Sequence, residues 1–201
     1  MKPIYIPPYT DQIEQGTARM IRSVWSIAFT AAVCCAPVGQ AFAAEPMAMA
    51  TKAAACAPPA VLPADLAGWG AAHRPLKAAV KPAATGKALL AQGVAFDTVL
   101  APTPKVAYAI EPGKTGGSVS FGGLFAFDVA AAGRYRIAQN GPSWVDVIVD
   151  GKAVPSAAHG HGPECSGVTK MVEYDLPAGH HLLQIAANGT QALTVMVAPV
   201  R

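Results

Sequence analysis

Charged residues are scarce: Lys, Arg, Asp and Glu make up 13% of the 201 residues, about half the usual quarter. That excludes a charged, disordered polymer. The net charge is only +3, and no dense basic stripe marks a nucleic-acid binder. Aromatic residues are few, at 7%, and the 52% apolar fraction comes largely from alanine. The mostly small or apolar run from Ser23 to Val38 is too short and alanine-rich for a comfortable membrane span of about 20 apolar residues. A phosphate loop, a dinucleotide fingerprint and a G-x-S-x-G elbow are all absent. Ser166, His159 and Asp175 supply the residue types of a hydrolase triad, without the elbow or the α/β order it needs. No internal repeat occurs, and the length allows one domain, hardly two.

What is present begins with a leader. Arg19 and Arg22 precede the apolar run through Trp25, Phe29, Cys34 and Cys35, and Ala41-Phe42-Ala43 follows. A positive n-region, an apolar h-region and an A-x-A site describe a secretory signal peptide over residues 1–43, with Met20 a plausible true start. Export implies a periplasmic or secreted protein with no stable membrane span after cleavage. Lipid attachment at Cys34 or Cys35 is disfavoured by Val33, larger than the small residue such a site prefers. The mature chain then keeps Cys56 and Cys165. An even pair in an oxidising compartment is most simply a disulfide, with a metal-ligating or free Cys165 as the competing reading.

Residues 44–92 are rich in alanine and proline, with five cations against Glu45 and Asp65. Frequent proline and little bulk predict an irregular spacer with little to bury. Within it Asp65 reads as a turn or cap, and Trp69 as an anchor onto the domain. The Met47-x-Met49 pair suits a flexible tail better than a copper site.

Residues 93–201 read as β throughout. Short β-rich runs recur at Val94–Leu100, Lys105–Ile110, Ser118–Val129, Arg134–Gln139, Trp144–Asp150, Val168–Leu176, His181–Ala187 and Gln191–Val197. Asp150-Gly151 and Asn188-Gly189 are strong hairpin signals, and Gly122-Gly123 inside a long run suggests a bulge or bend. About eight short strands without a convincing helix predict an all-β fold, a two-sheet antiparallel sandwich of jelly-roll type.

Phe127-x-Val129, Ala132-Gly133-x-Tyr135-x-Ile137, Val145-x-Val147-x-Val149-Asp150-Gly151 and Leu176-x-Ala178-Gly179-x-His181-x-Leu183 follow one another in order. This order resembles jelly-roll modules of the galactose-binding or carbohydrate-binding type, over about Ser118 to Ala198. The stretch Ala158-His159-Gly160-His161-Gly162-Pro163-Glu164-Cys165-Ser166-Gly167, with Lys170-Met171-Val172, is similar to a family of small secreted proteobacterial proteins. Members of that family are often labelled homogentisate 1,2-dioxygenase. That resemblance implies an iron-dependent oxidoreductase.

Two residue sets carry candidate chemistry. His159 and His161, two apart in an extended segment, share a face; with Glu164 and His181 they form a candidate metal site for zinc, iron, nickel or copper. Trp144, Asp146 and Asp150 share one strand face by alternation, an aromatic plane beside carboxylates that suits a sugar ring. The reading with the broader support is an exported, non-catalytic protein that binds a glycan, a small ligand or an envelope protein. The alternative is a metal-binding protein or a small non-haem iron dioxygenase using the His159/His161 loop.

Overall fold

Alternation decides the architecture. In an extended chain successive side chains point to opposite faces, and Phe125, Phe127 and Val129 on one strand meet Leu183 and Ile185, Val145 and Val147, and Leu193, Val195 and Val197 from others in a single buried cluster. The computed structural model describes Cys56 and residues 61–201. The expected leader over 1–43, Met20 and the Met47-x-Met49 pair lie outside the described residues. Among the described residues no helix is long and apolar enough to cross a membrane.

Among the described residues eleven strands form two sheets, as expected for an all-β sandwich. They are β1 (Arg74–Lys77), β2 (Ala95–Val99), β3 (Ala101–Pro102), β4 (Phe121–Val129), β5 (Gly133–Gln139), β6 (Trp144–Val149), β7 (Lys152–Ala153), β8 (Ala158–Gly160), β9 (Lys170–Leu176), β10 (Gly179–Asn188) and β11 (Ala192–Pro199). One sheet has the order β1-β2-β11-β5-β9-β8 and the other β3-β4-β10-β6-β7. Neighbours pair antiparallel, save β1, which lies parallel to β2. The chain repeatedly crosses between sheets, as at β4–β5 and β9–β10. At the first crossing the Tyr135 hydroxyl donates to the Ala131 carbonyl at 2.9 Å. This gives the Ala132-Gly133-x-Tyr135 pattern a physical purpose, pinning the turn.

The spacer expected over residues 44–92 does not hold for its described part. From residue 61 the chain packs onto the sandwich. A 3-10 helix, Ala64–Gly70, lays Leu66 and Trp69 on Ala95, Ala138, Met196 and Ala198, the outward residues of the six-stranded sheet, with Val168 beside them. The expectation failed because alanine was read as lacking bulk. Here Ala78, Ala79 and Ala88 are buried where the backbone itself comes close, with Ala79 bridged to Leu124 and Leu89 to Ala126. Pro75 in β1 is tolerated at a sheet edge, where a missing N–H leaves no partner unmatched.

Trp69 is the anchor its position suggested: buried, with Nε1 donating to the Ser166 carbonyl at 3.1 Å. Asp65 caps nothing. It pairs with Arg136 on β5, which also reaches Glu173 on β9 at 2.7 Å. Cys56 and Cys165 are joined in a disulfide spanning 109 residues, so Cys165 offers no free thiolate.

Lys105–Ile110 is not a strand. Ala107 N donates to the Val80 carbonyl, and Ala109 N and Ile110 N both turn to the Gln184 side-chain oxygen. The segment thus crosses the outer face of the five-stranded sheet with its donors satisfied by a side chain rather than a ladder. Gly122-Gly123 stays in strand. A Cβ on Gly122 would come 2.0 Å from the Tyr108 hydroxyl, and one on Gly123 2.4 Å from Ala78 Cβ. The bulge lies on the facing strand, where β10 has one extra residue between Ile185 and Asn188; Ala187 there adopts φ 55°.

His73 ties the covering segment to β2. Its Nδ1 donates to Asp97 at 2.9 Å and its Nε2 to the Trp69 carbonyl at 3.0 Å. Two acceptors favour the doubly protonated ring. The Trp69 carbonyl first, then Asp97, raises its pKa above the ordinary 6.5, against a smaller effect of burial. Asp97 is held below its usual range by the Thr194 hydroxyl and then by His73.

Two outcomes are expected. Replacing both Cys56 and Cys165 by serine lowers unfolding free energy by about 2–4 kcal/mol, the usual effect of opening a long loop, measured by urea denaturation of oxidised protein. For His73, a raised folded pKa means its contribution is full below the unfolded value and is lost as pH rises through the folded one. The stability gap between wild type and His73→Ala is therefore widest below the ordinary histidine value of about pH 6.5 and narrows as pH rises above it. A gap constant across that rise would refute the assignment of a charged His73.

Candidate functional site

Strand β6 has an incomplete edge. On its outer side β7 pairs only with Ile148 and Val149, and Val154 N reaches the Val147 carbonyl. Towards Trp144 no strand follows. Buried carbonyls need donors, and β9 of the opposite sheet supplies them. The Tyr174 hydroxyl donates to the Val145 carbonyl and Lys170 Nζ to the Ser143 carbonyl, each at 2.9 Å. Side chains cap this edge where a strand would have sealed it, and a cleft of about 230 Å³ remains. Trp144, Val145, Ser156, His159, Lys170, Val172 and Tyr174 line it.

Trp144 is 37% exposed at this cleft and rigidly held. Its Nε1 donates to Asp146 Oδ1 at 2.8 Å. Gly113 backs the indole so closely that an added Cβ would lie 2.6 Å from Cζ2. Lys170 Nζ stands over the ring, 5.6 Å from its centroid, a cation–π geometry. Burial pushes the Lys170 ammonium below the usual lysine range, and the like charge of Lys114 adds to this against the pull of Asp146. Burial also pushes the Tyr174 phenol upward, so it stays a neutral donor.

The predicted sugar-binding set is therefore only partly assembled. Trp144 and Asp146 do lie together, but Asp146 is 9% exposed. Its two oxygens take Trp144 Nε1 and, at 3.4 Å, Gln184 Nε2. It positions the indole instead of offering a carboxylate to a ligand. Asp150 sits at the other end of β6, in the hairpin turn with Gly151 at φ 50° and 77°. Strand alternation stops at Val149, so Asp150 is carried by the turn, with the five residues 145–149 between it and Trp144.

The predicted metal set is dispersed. His159 lies in β8, opposite Val172, and lines the Trp144 cleft. His161 directs Nδ1 to the Thr169 carbonyl at 3.0 Å, and Glu164 is exposed in the following loop. His181 belongs to the other sheet, in β10, 4% exposed and edge-on to Phe127. Its Nε2 donates to the Pro177 carbonyl at 2.8 Å, which leaves Nδ1 buried without a partner. Among the described residues no group of three or more His, Cys, Asp and Glu is placed to hold a metal ion. The triad types are equally scattered: Ser166 Oγ donates to the Pro163 carbonyl, and Asp175 is taken by both nitrogens of an Arg134 fork.

Lys170, Ser156 and Tyr174 belong to the cleft although none of them is a candidate site residue by sequence, Lys170 entering only as part of the Lys170-Met171-Val172 resemblance. Lys170, Val172 and Tyr174 are i, i+2 and i+4 on one strand, so alternation carried the signal. What the sequence could not show is that this face continues beyond the core to the sheet edge. A second hollow, of about 410 Å³, lies at Trp69, His73, Asn140, Ser166 and Thr194. Its polar groups are already matched to one another: Asn140 Nδ2 meets Thr194 Oγ1, Thr194 N meets Asn140 Oδ1, and Thr194 Oγ1 meets Asp97. The Trp144 cleft, by contrast, holds Lys170 with N–H groups to spare beyond its bond to the Ser143 carbonyl.

No family model matches the chain, and no curated protein matches it.

Proposed function

We propose that this is an exported, non-catalytic binding protein that takes a single sugar-sized ring in the Trp144 cleft. The observation that carries this reading is Trp144 itself: a partly exposed indole, fixed by Asp146 and Gly113, at the mouth of a cavity of about 230 Å³. That volume falls below the roughly 300–1,000 Å³ of drug-sized sites, which suits one ring. An aromatic plane offers the apolar face of a sugar a stacking partner, while surrounding polar groups meet its hydroxyls. The fold adds support at the level of architecture only, since a sandwich hosts many functions. Export rests on the Arg22, apolar-run and Ala41-Phe42-Ala43 pattern.

Each half of the reading has its own test. In protein recovered from the periplasm, N-terminal sequencing is expected to begin at Ala44; a chain retaining its first 43 residues would overturn export. In calorimetric or NMR titrations with monosaccharides, Trp144→Ala is expected to weaken binding roughly tenfold, the loss of one stacking contact. Thermal unfolding should fall only modestly, since the indole is outside the core cluster but serves the nearly buried Asp146, and affinities are compared where both proteins are folded. Equal affinity in wild type and Trp144→Ala would remove the cleft from consideration.

A further inference from the structure

Every polar side chain that lines the cleft can donate a hydrogen bond, one of them is a cation, and none is a carboxylate. Lys170 is half-buried and has no carboxylate within ion-pair distance among the described residues. Of its three N–H groups, the Ser143 carbonyl takes one. Ser156 and His159 make no side-chain hydrogen bond among the described residues. The nearby carboxylate, Asp146, is committed to Trp144 and Gln184. A half-buried ammonium without a counter-ion is costly. Burial, then the like charge of Lys114, lowers its pKa although Asp146, beyond ion-pair distance, pulls the other way.

We infer that the ligand of the Trp144 cleft is a sugar ring bearing a carboxylate, of the uronic-acid class, whose anion meets Lys170 while the ring lies against Trp144. This rests on the sugar-binding reading above and narrows it. A neutral sugar would leave the Lys170 ammonium as it is. A carboxylate supplies the missing counter-ion, and its second oxygen can accept from Ser156 or His159. Charge-assisted bonds of this kind are about twice as strong as neutral ones, so the site should discriminate by charge as well as by shape.

The test uses the mature protein and four probes: D-glucuronate and D-galacturonate, with D-glucose and D-galactose as neutral counterparts, plus acetate for the anion alone. Calorimetry or NMR titration at low salt is expected to give at least tenfold tighter binding of a uronate than of its neutral parent. Lys170→Met should erase that ratio, Lys170→Arg should restore most of it, and Trp144→Ala should weaken both sugars alike. If wild type binds neutral and acidic sugars equally, the carboxylate inference falls and the sugar reading stands. Acetate binding as tightly as a uronate would overturn the ring's part in recognition. Binding of neither sugar class would overturn both readings. Should Lys170→Met fail to fold, the ratio measured on wild type and Lys170→Arg still decides the matter.

Discussion

The constraint on which the rest of the structure depends is that the centre of the six-stranded sheet is apolar on both faces. Strand β11 turns Leu193, Val195 and Val197 into the sandwich and Met196 and Ala198 out of it, and both sets are buried. A two-layer sandwich covers only one of these faces. The other needs a lid, and residues 62–69 provide it through Leu66 and Trp69. Around this apolar contact stand polar and covalent ties: the Trp69–Ser166 bond, the Asp65–Arg136 pair, His73 on Asp97 and the Cys56–Cys165 link. Burying the outer face supplies the driving force, and these contacts fix where the segment sits.

The same logic explains why the two ends of the sandwich differ. Along β9 the inward face runs Leu176, Tyr174, Val172 and then Lys170, from buried apolar to half-buried cation. The core thus runs out one residue pair before the sheet does. At that point Tyr174 and Lys170 reach across to the carbonyls of Val145 and Ser143, and the space between the sheets opens as a cleft. The Trp144 cleft is the unfilled end of the core, which is why its lining mixes Val145 and Val172 with donors.

The sandwich was legible because hydrophobic alternation is a local signal, and seven of the eight expected runs are strands. Lys105–Ile110 was misread because its alternation reflects contact with Gln184 and Tyr108's fit on Gly122, a tertiary arrangement no window can contain. The cover over residues 61–92 was missed because small residues signal burial only when a backbone lies close by. The disulfide and the Trp69 anchor were readable from residue type and compartment alone. The site was half legible. Trp144 and Asp146 were placed on one face, but the role of Asp146 as a support for the indole depends on Gln184 from β10. His159 and His181 looked like neighbours by residue type, and the topology sends them to opposite sheets.

The side-chain caps on β6 have a consequence for the behaviour of the protein in a crowd. An open strand edge is a template on which a second chain can add its own strand. Here the Tyr174 phenol takes the Val145 carbonyl, while Lys170 and Gln139 share that of Ser143, and a charge at the edge repels a copy of itself. Substitutions that remove the Tyr174 phenol or the Lys170 charge therefore also weaken the protection of this edge, so changes in the cleft and a rise in self-association travel together.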